Sequence, residues 1–78
     1  MSLYHDYLYD LGLEIKLRAL EARRMRDSTA NPAERDCQSA RLLAFNEVIS
    51  IMQQQAIGLG IPLSDLQLED IEPDRDLI

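Results

Sequence analysis

Apolar residues return every three or four positions along the first third of the chain. Placed at about 100° per residue, Tyr4, Tyr7, Leu8, Leu11, Ile15, Ala22 and Met25 share one face, which predicts a helix from about Leu3 to Asp27, about 38 Å long. A second apolar strip, Tyr9, Leu13, Leu17 and Leu20, lies on nearly the opposite side. A helix in a lone hairpin needs one apolar face. Two strips therefore predict two neighbours, the hairpin partner and something outside the chain. Gly12 falls mid-helix at a cost of about 1 kcal/mol relative to alanine; a close helix crossing explains it, and simple tolerance is the competing reading.

The second apolar pattern starts after Asn31-Pro32-Ala33-Glu34. Asparagine caps helix starts well, proline suits the first turn, and a glutamate three residues on reaches back to the cap, an asparagine variant of the capping box. The second helix is expected from Pro32 to about Gly58, where Gly58, Gly60 and Ile61-Pro62 stop it. Cys37, Ala44, Phe45, Val48, Ile49, Met52 and Ala56, with Leu42 at the edge, cover about half its circumference, again wider than one neighbour requires. Asn46, Ser50, Gln53 and Gln54 fall on the opposite, polar side.

Beyond Gly60, Ile61, Leu63, Leu66, Leu68 and Ile71 alternate with polar and acidic residues, Ser64-Asp65 suits the cap of one short turn, Glu72-Pro73-Asp74 reads as a turn, and the chain closes on Leu77-Ile78. Two readings stand for this segment: packing along the hairpin, or an acidic arm that orders on binding. The density of branched apolar residues favours packing for 61–71 and leaves 73–78 open.

At 78 residues the chain is a single domain, read as a helical hairpin over 1–60 and a C-terminal extension over 61–78. Hydrophobic residues make up 46%, too many for a disordered chain, and with no Trp and one Phe the apolar mass is Leu, Ile, Ala and Met, which suits helix on helix. Two helices alone cannot enclose a core. The expected fold is all-α, an antiparallel two-helix hairpin with a C-terminal extension, dimerising into a four-helix bundle.

Charge adds a direction to that dimer. The net charge is −6, yet Arg23, Arg24, Arg26 and Arg35 gather at the predicted turn, while acids dominate before Lys16 and after Arg41. A hairpin with both acidic segments at its open end is a charge dipole, and an antiparallel dimer sets basic turn beside acidic end.

No window approaches 18 consecutive apolar residues, so no membrane span is expected, and no signal peptide precedes Tyr4. Met1-Ser2-Leu3 resembles an expression-vector remnant, and no function is built on it. Cys37 is the single cysteine, which excludes an intramolecular disulfide; it reads as a small, partly buried apolar residue, with Arg41 one turn away the only hint of a reactive thiol. Residence in the cytoplasm is the default.

Catalytic chemistry is poorly supplied. His5 is the only histidine, no Glu-x-x-His motif or calcium loop is present, and neither a metal nor another cofactor is expected. Cys37 and His5 lie at opposite ends of the hairpin, no glycine-rich loop precedes a helix, and Asp10 with Glu14 is a mild like-charge repulsion on an exposed face. An enzyme is not expected. Nucleic acid is opposed by the net charge and by the acids interleaved with the arginines.

Two charged residues interrupt apolar faces. Arg18 falls in line with Leu11, Ile15, Ala22 and Met25, and Glu47 sits between Leu43, Ala44 and Ile51. Arg18 either lays its stem on the core and pairs with Glu14 or Glu21, or joins Glu47 in fixing register across a subunit contact. The residues expected at an interface are Leu13, Leu17, Leu20, Arg18, Phe45, Glu47, Ile49 and Met52.

The run Arg41-Leu42-Leu43-Ala44-Phe45-Asn46-Glu47-Val48-Ile49-Ser50-Ile51-Met52-Gln53-Gln54-Gln55, followed by Gly60-Ile61-Pro62 and Pro73-Asp74-Arg75-Asp76-Leu77, resembles the second half of short uncharacterised bacterial helical-hairpin proteins. The resemblance covers about half the chain. It implies a helical hairpin in a bacterial cytoplasm and carries no activity or site residues. The functional expectation is a non-catalytic, oligomeric protein–protein interaction module, an adaptor or regulator, dimeric or tetrameric, whose acidity suits a basic protein partner. The alternative is a small-molecule-binding or enzyme accessory subunit with a site between helices near Tyr4, Tyr7, Tyr9 and His5.

Overall fold

Two side-chain caps set the long helices. In the computed structural model, which describes residues 2–78, α1 spans Leu3–Ser28 and α2 spans Pro32–Gly58. Ser2 Oγ accepts the His5 N–H at 3.1 Å, and Asn31 Oδ1 accepts the N–H groups of Ala33 and Glu34 at 2.9 and 3.3 Å, satisfying donors that a helix start leaves free. Of the expected Met1-Ser2-Leu3 remnant, Met1 lies outside the described residues, and Ser2 is the cap. The return half of the capping box is not made: the Glu34 carboxylate accepts from Gln38 Nε2 at 3.0 Å, and the Asn31 N–H donates instead to Thr29 Oγ1 at 3.2 Å.

α2 ends in a Schellman motif. Gly60 takes φ +71°, its N–H donates to the Ile57 carbonyl, and the Ile61 N–H donates to the Ala56 carbonyl at 2.8 Å. Glycine meets the positive φ without a Cβ penalty. The chain is thereby turned back along the hairpin.

The returning segment holds one 3-10 turn, Leu63–Leu66, closed by Gln67 at φ 56°, and a short helix α3, Pro73–Asp76, where the sequence reads only a turn. It runs parallel to α1 in the cleft between the long helices, from open end to turn end. Gln67 Nε2 donates to the Tyr9 carbonyl, Lys16 meets Asp70 at 3.0 Å, and Arg26 Nη1 donates to the Ile78 carbonyl at 2.7 Å. From the other side, Gln53 Nε2 donates to the Leu68 and Ile71 carbonyls at 3.1 and 2.8 Å, and Asn46 Nδ2 to those of Pro73 and Leu77 at 2.9 and 3.3 Å.

The core therefore has three contributors. Ala19, Ala22 and Gly12 bring α1 close, α2 supplies Leu42, Ile49 and Ala56 at spacings of seven, and the extension inserts Leu66, Leu68, Ile71 and Leu77. This corrects the orientation of α2. Asn46, Ser50 and Gln53, expected on a solvated side, are half-buried beneath the extension; Leu42, expected at an edge, is central; Cys37, Ala44 and Val48 are exposed. The charge dipole is corrected too. Glu72, Asp74 and Asp76 return to the turn end and match its arginines one for one, so the open half alone carries the acidic excess. All described elements are helical, with the two long helices packed together, and none is long and apolar enough to cross a membrane.

Candidate functional site

The extension covers one side of the hairpin and leaves the other open. At the open end, Leu8 and Leu11 of α1 face Ile51, Met52 and Gln55 of α2 and its C-cap Leu59 across a groove of about 390 Å³, floored by Ala56, Ile61 and Leu66. Gln55 is its one polar lining residue. Leu59 is 72% exposed and Ile51 53%, large values for branched side chains beside a core. Helical spacing carries the apolar surface onward through Val48 and Phe45 on α2 and through Ile15 and Met25 on α1, all at least partly exposed. The molecule measures 45 × 21 × 16 Å over its Cα atoms. The outline of the whole molecule on that side encloses roughly 700–950 Å², an upper limit that admits the share of one partner in a standard interface, about 800 Å².

The expected interface residues divide into three groups. Met52 lines the groove and Phe45 lies half-buried on the same face, with the Arg41 guanidinium 5.8 Å from its ring centroid. Leu13, Leu17 and Leu20 form a separate strip on the outer flank of α1, Leu17 and Leu20 exposed and Leu13 half-buried. Ile49 is wholly buried in the chain's own core and reaches no external surface. Arg18 pairs with Glu14 one turn earlier, and Glu47 is exposed with no ion pair among the described residues. Sequence reasoning missed Leu8, Ile51 and Leu59 as groove residues. The available signal was that they continue the apolar arc past what a single neighbour requires.

The turn end offers a second concavity, about 250 Å³, lined by Lys16, Leu20, Arg23, Asp70, Ile71, Arg75 and Asp76. Its bases are engaged within the chain: Lys16 with Asp70, Arg23 with the Asp76 carbonyl, and Arg75 with Asp76 and Glu72. The Arg75 guanidinium and the Glu72 N–H hold the Asp76 carboxyl down at about 2, and Lys16 likewise lowers Asp70. The Lys16 and Arg23 contacts tie the extension to α1, the Arg75 pairs brace α3 itself, and together they leave little field for an anion.

The Tyr/His cluster does not enclose a site. Tyr4 and Tyr7 are 84% and 65% exposed. His5 stacks on Tyr9 and places Nε2 3.6 Å from the Asp65 carboxylate, so it braces the 3-10 turn; its Nδ1 makes no hydrogen bond. Among the described residues no group of three or more His, Cys, Asp or Glu side chains is arranged to hold a metal ion. Comparison with protein-family models, with curated proteins and with solved structures finds no match to this chain.

Proposed function

We propose that this chain is a non-catalytic protein–protein interaction module of the cytoplasm, an adaptor or regulator that works as a homodimer. Two hairpins stack by their uncovered faces into a four-helix bundle, with the extensions outermost. One observation carries the reading: Leu8, Ile51 and Leu59 stay exposed together around a groove with a single polar lining residue, and Val48 is exposed one turn before Ile51. Contiguous apolar surface of this kind marks association in soluble proteins. The Leu17 and Leu20 flank stays outside the bundle, available to a basic protein partner or to a second dimer. Ligand binding near Tyr4, Tyr7, Tyr9 and His5 has less behind it, since those tyrosines are largely solvated and the groove offers a ligand almost no polar contact.

Light scattering coupled to size exclusion, in low and in high salt, tests the proposal. The expected mass is that of a dimer in both, because apolar burial is not screened by salt. Ile51→Glu is expected to give a monomer with an unchanged helical circular-dichroism spectrum. A folded monomer of the unaltered chain at tens of micromolar would overturn the reading.

A further inference from the structure

Building on that dimer, we infer that the second copy lies antiparallel, its turn end seated on the open-end groove. The returning extension decides the charge geometry. With Glu72, Asp74 and Asp76 laid among the arginines from Arg18 onward, the turn end is balanced, and the whole net charge of −6 resides in the open half, where only Lys16 opposes the acids. A parallel stack brings two such halves together, within a Debye length of about 8 Å at physiological salt. An antiparallel stack sets each acidic half against a balanced end that exposes Arg24, Arg35 and Arg41.

Shape points the same way. Full overlap of two equal hairpins places the two-fold axis beside Ala44 and Phe45, near the middle of α2. Met25 of the second copy then falls at the axial level of the groove formed by Leu8, Leu11, Met52 and Leu59. Methionine is unbranched and adaptable, suited to filling an irregular apolar gap. In a parallel stack the two grooves would face each other and stay unfilled.

Cys37, the only cysteine and exposed, supplies the test. It lies about 12 Å along α2 from the proposed axis. A nitroxide on Cys37 of the full chain should give an electron–electron distance of about 25 Å in an antiparallel dimer, against about 10 Å, one interhelical spacing, in a parallel one. Labelling Ala30→Cys in a Cys37→Ser background should lengthen the antiparallel distance to about 40–45 Å. That second site also guards against a label that perturbs the contact. Light scattering is run on the same samples. Long distances in a dimer support the inference; a dimer with short distances at both sites overturns the orientation and leaves the dimer standing. A monomer overturns the dimer itself.

Discussion

Gly12 of α1 and the carbonyl group of Leu66 share a space that admits no side chain. A Cβ built on Gly12 would lie 1.8 Å from the Leu66 oxygen and 2.8 Å from its carbonyl carbon. The close approach suspected at this glycine is real, but the approaching element is the 3-10 turn of the extension and not another helix.

Gly12→Ala sets helix propensity against packing. Alanine gains about 1 kcal/mol in an unconstrained helix, whereas here it must push backbone aside, at about 1–3 kcal/mol for overpacking. The expected outcome in urea unfolding is no gain and a net loss of up to about 2 kcal/mol. Gly58→Ala, where nothing lies within 4 Å, is the control and should gain a few tenths to about 1 kcal/mol. Equal and favourable effects at both positions would show that Leu66 does not pack on Gly12.

Gln53 secures two carbonyls of the extension through one amide nitrogen. Gln53→Leu keeps the bulk and removes the donor, leaving the Leu68 and Ile71 carbonyls poorly satisfied, for an expected loss of about 1–3 kcal/mol. Amide hydrogen exchange should locate that loss, with protection falling across residues 66–77 more than in the middle of α2. Uniform loss over the whole chain would mean that hairpin and extension open as one unit.

Acid should loosen α3, the end of the extension, through Asp76. Its folded-state value near 2 lies below the ordinary 3.8, first because of the Arg75 guanidinium and then because of the Glu72 N–H. A depressed carboxyl stabilises the fold fully above its unfolded value, and that contribution is lost as pH falls from 3.8 toward about 2. Asp76→Asn should flatten the decline in stability over this window. Asp74→Asn, at an exposed acid with no ion pair among the described residues, should leave it unchanged.

Arg18→Met tests the surface account of the one base on the apolar arc of α1. The Arg18–Glu14 pair is exposed on both sides, and such helix pairs contribute about 0.3–0.5 kcal/mol. Stability should shift by less than about 0.5 kcal/mol with the mass in solution unchanged from that of the unaltered chain. A variant that dissociates, or changes oligomeric order, would make Arg18 a register residue.

The two long helices were legible because their signals are local. Asn31 and Pro32 start α2, Gly60 stops it, and the apolar period fixes its length. Which arc of α2 faces inward was not legible. The apolar count points toward Val48 and Met52, whereas the buried line is Leu42, Ile49 and Ala56, rotated toward Asn46 and Gln53. Those amides look like solvated residues because their partners are main-chain carbonyls, which leave no trace in side-chain hydrophobicity. Ala19 was overlooked for a related reason: a small residue marks close contact only once the neighbour is known. The same mismatch exposes the candidate site. Apolar positions that the chain does not use to cover itself are those left around the groove.

The route of the extension also has a consequence in time. Its contacts join Tyr9 to Gln67, Lys16 to Asp70 and Arg26 to Ile78, pairs separated by more than fifty positions. Such distant contacts form late compared with a hairpin closed by three residues. During synthesis the hairpin must therefore wait, with the cleft over Leu42 and Ile49 open, until the segment ending at Leu77 has emerged. Through that interval the chain presents two adhesive sides instead of one. For the proposed dimer, the order in which they close, cleft first and groove second, would decide whether neighbouring copies pair in register or tangle.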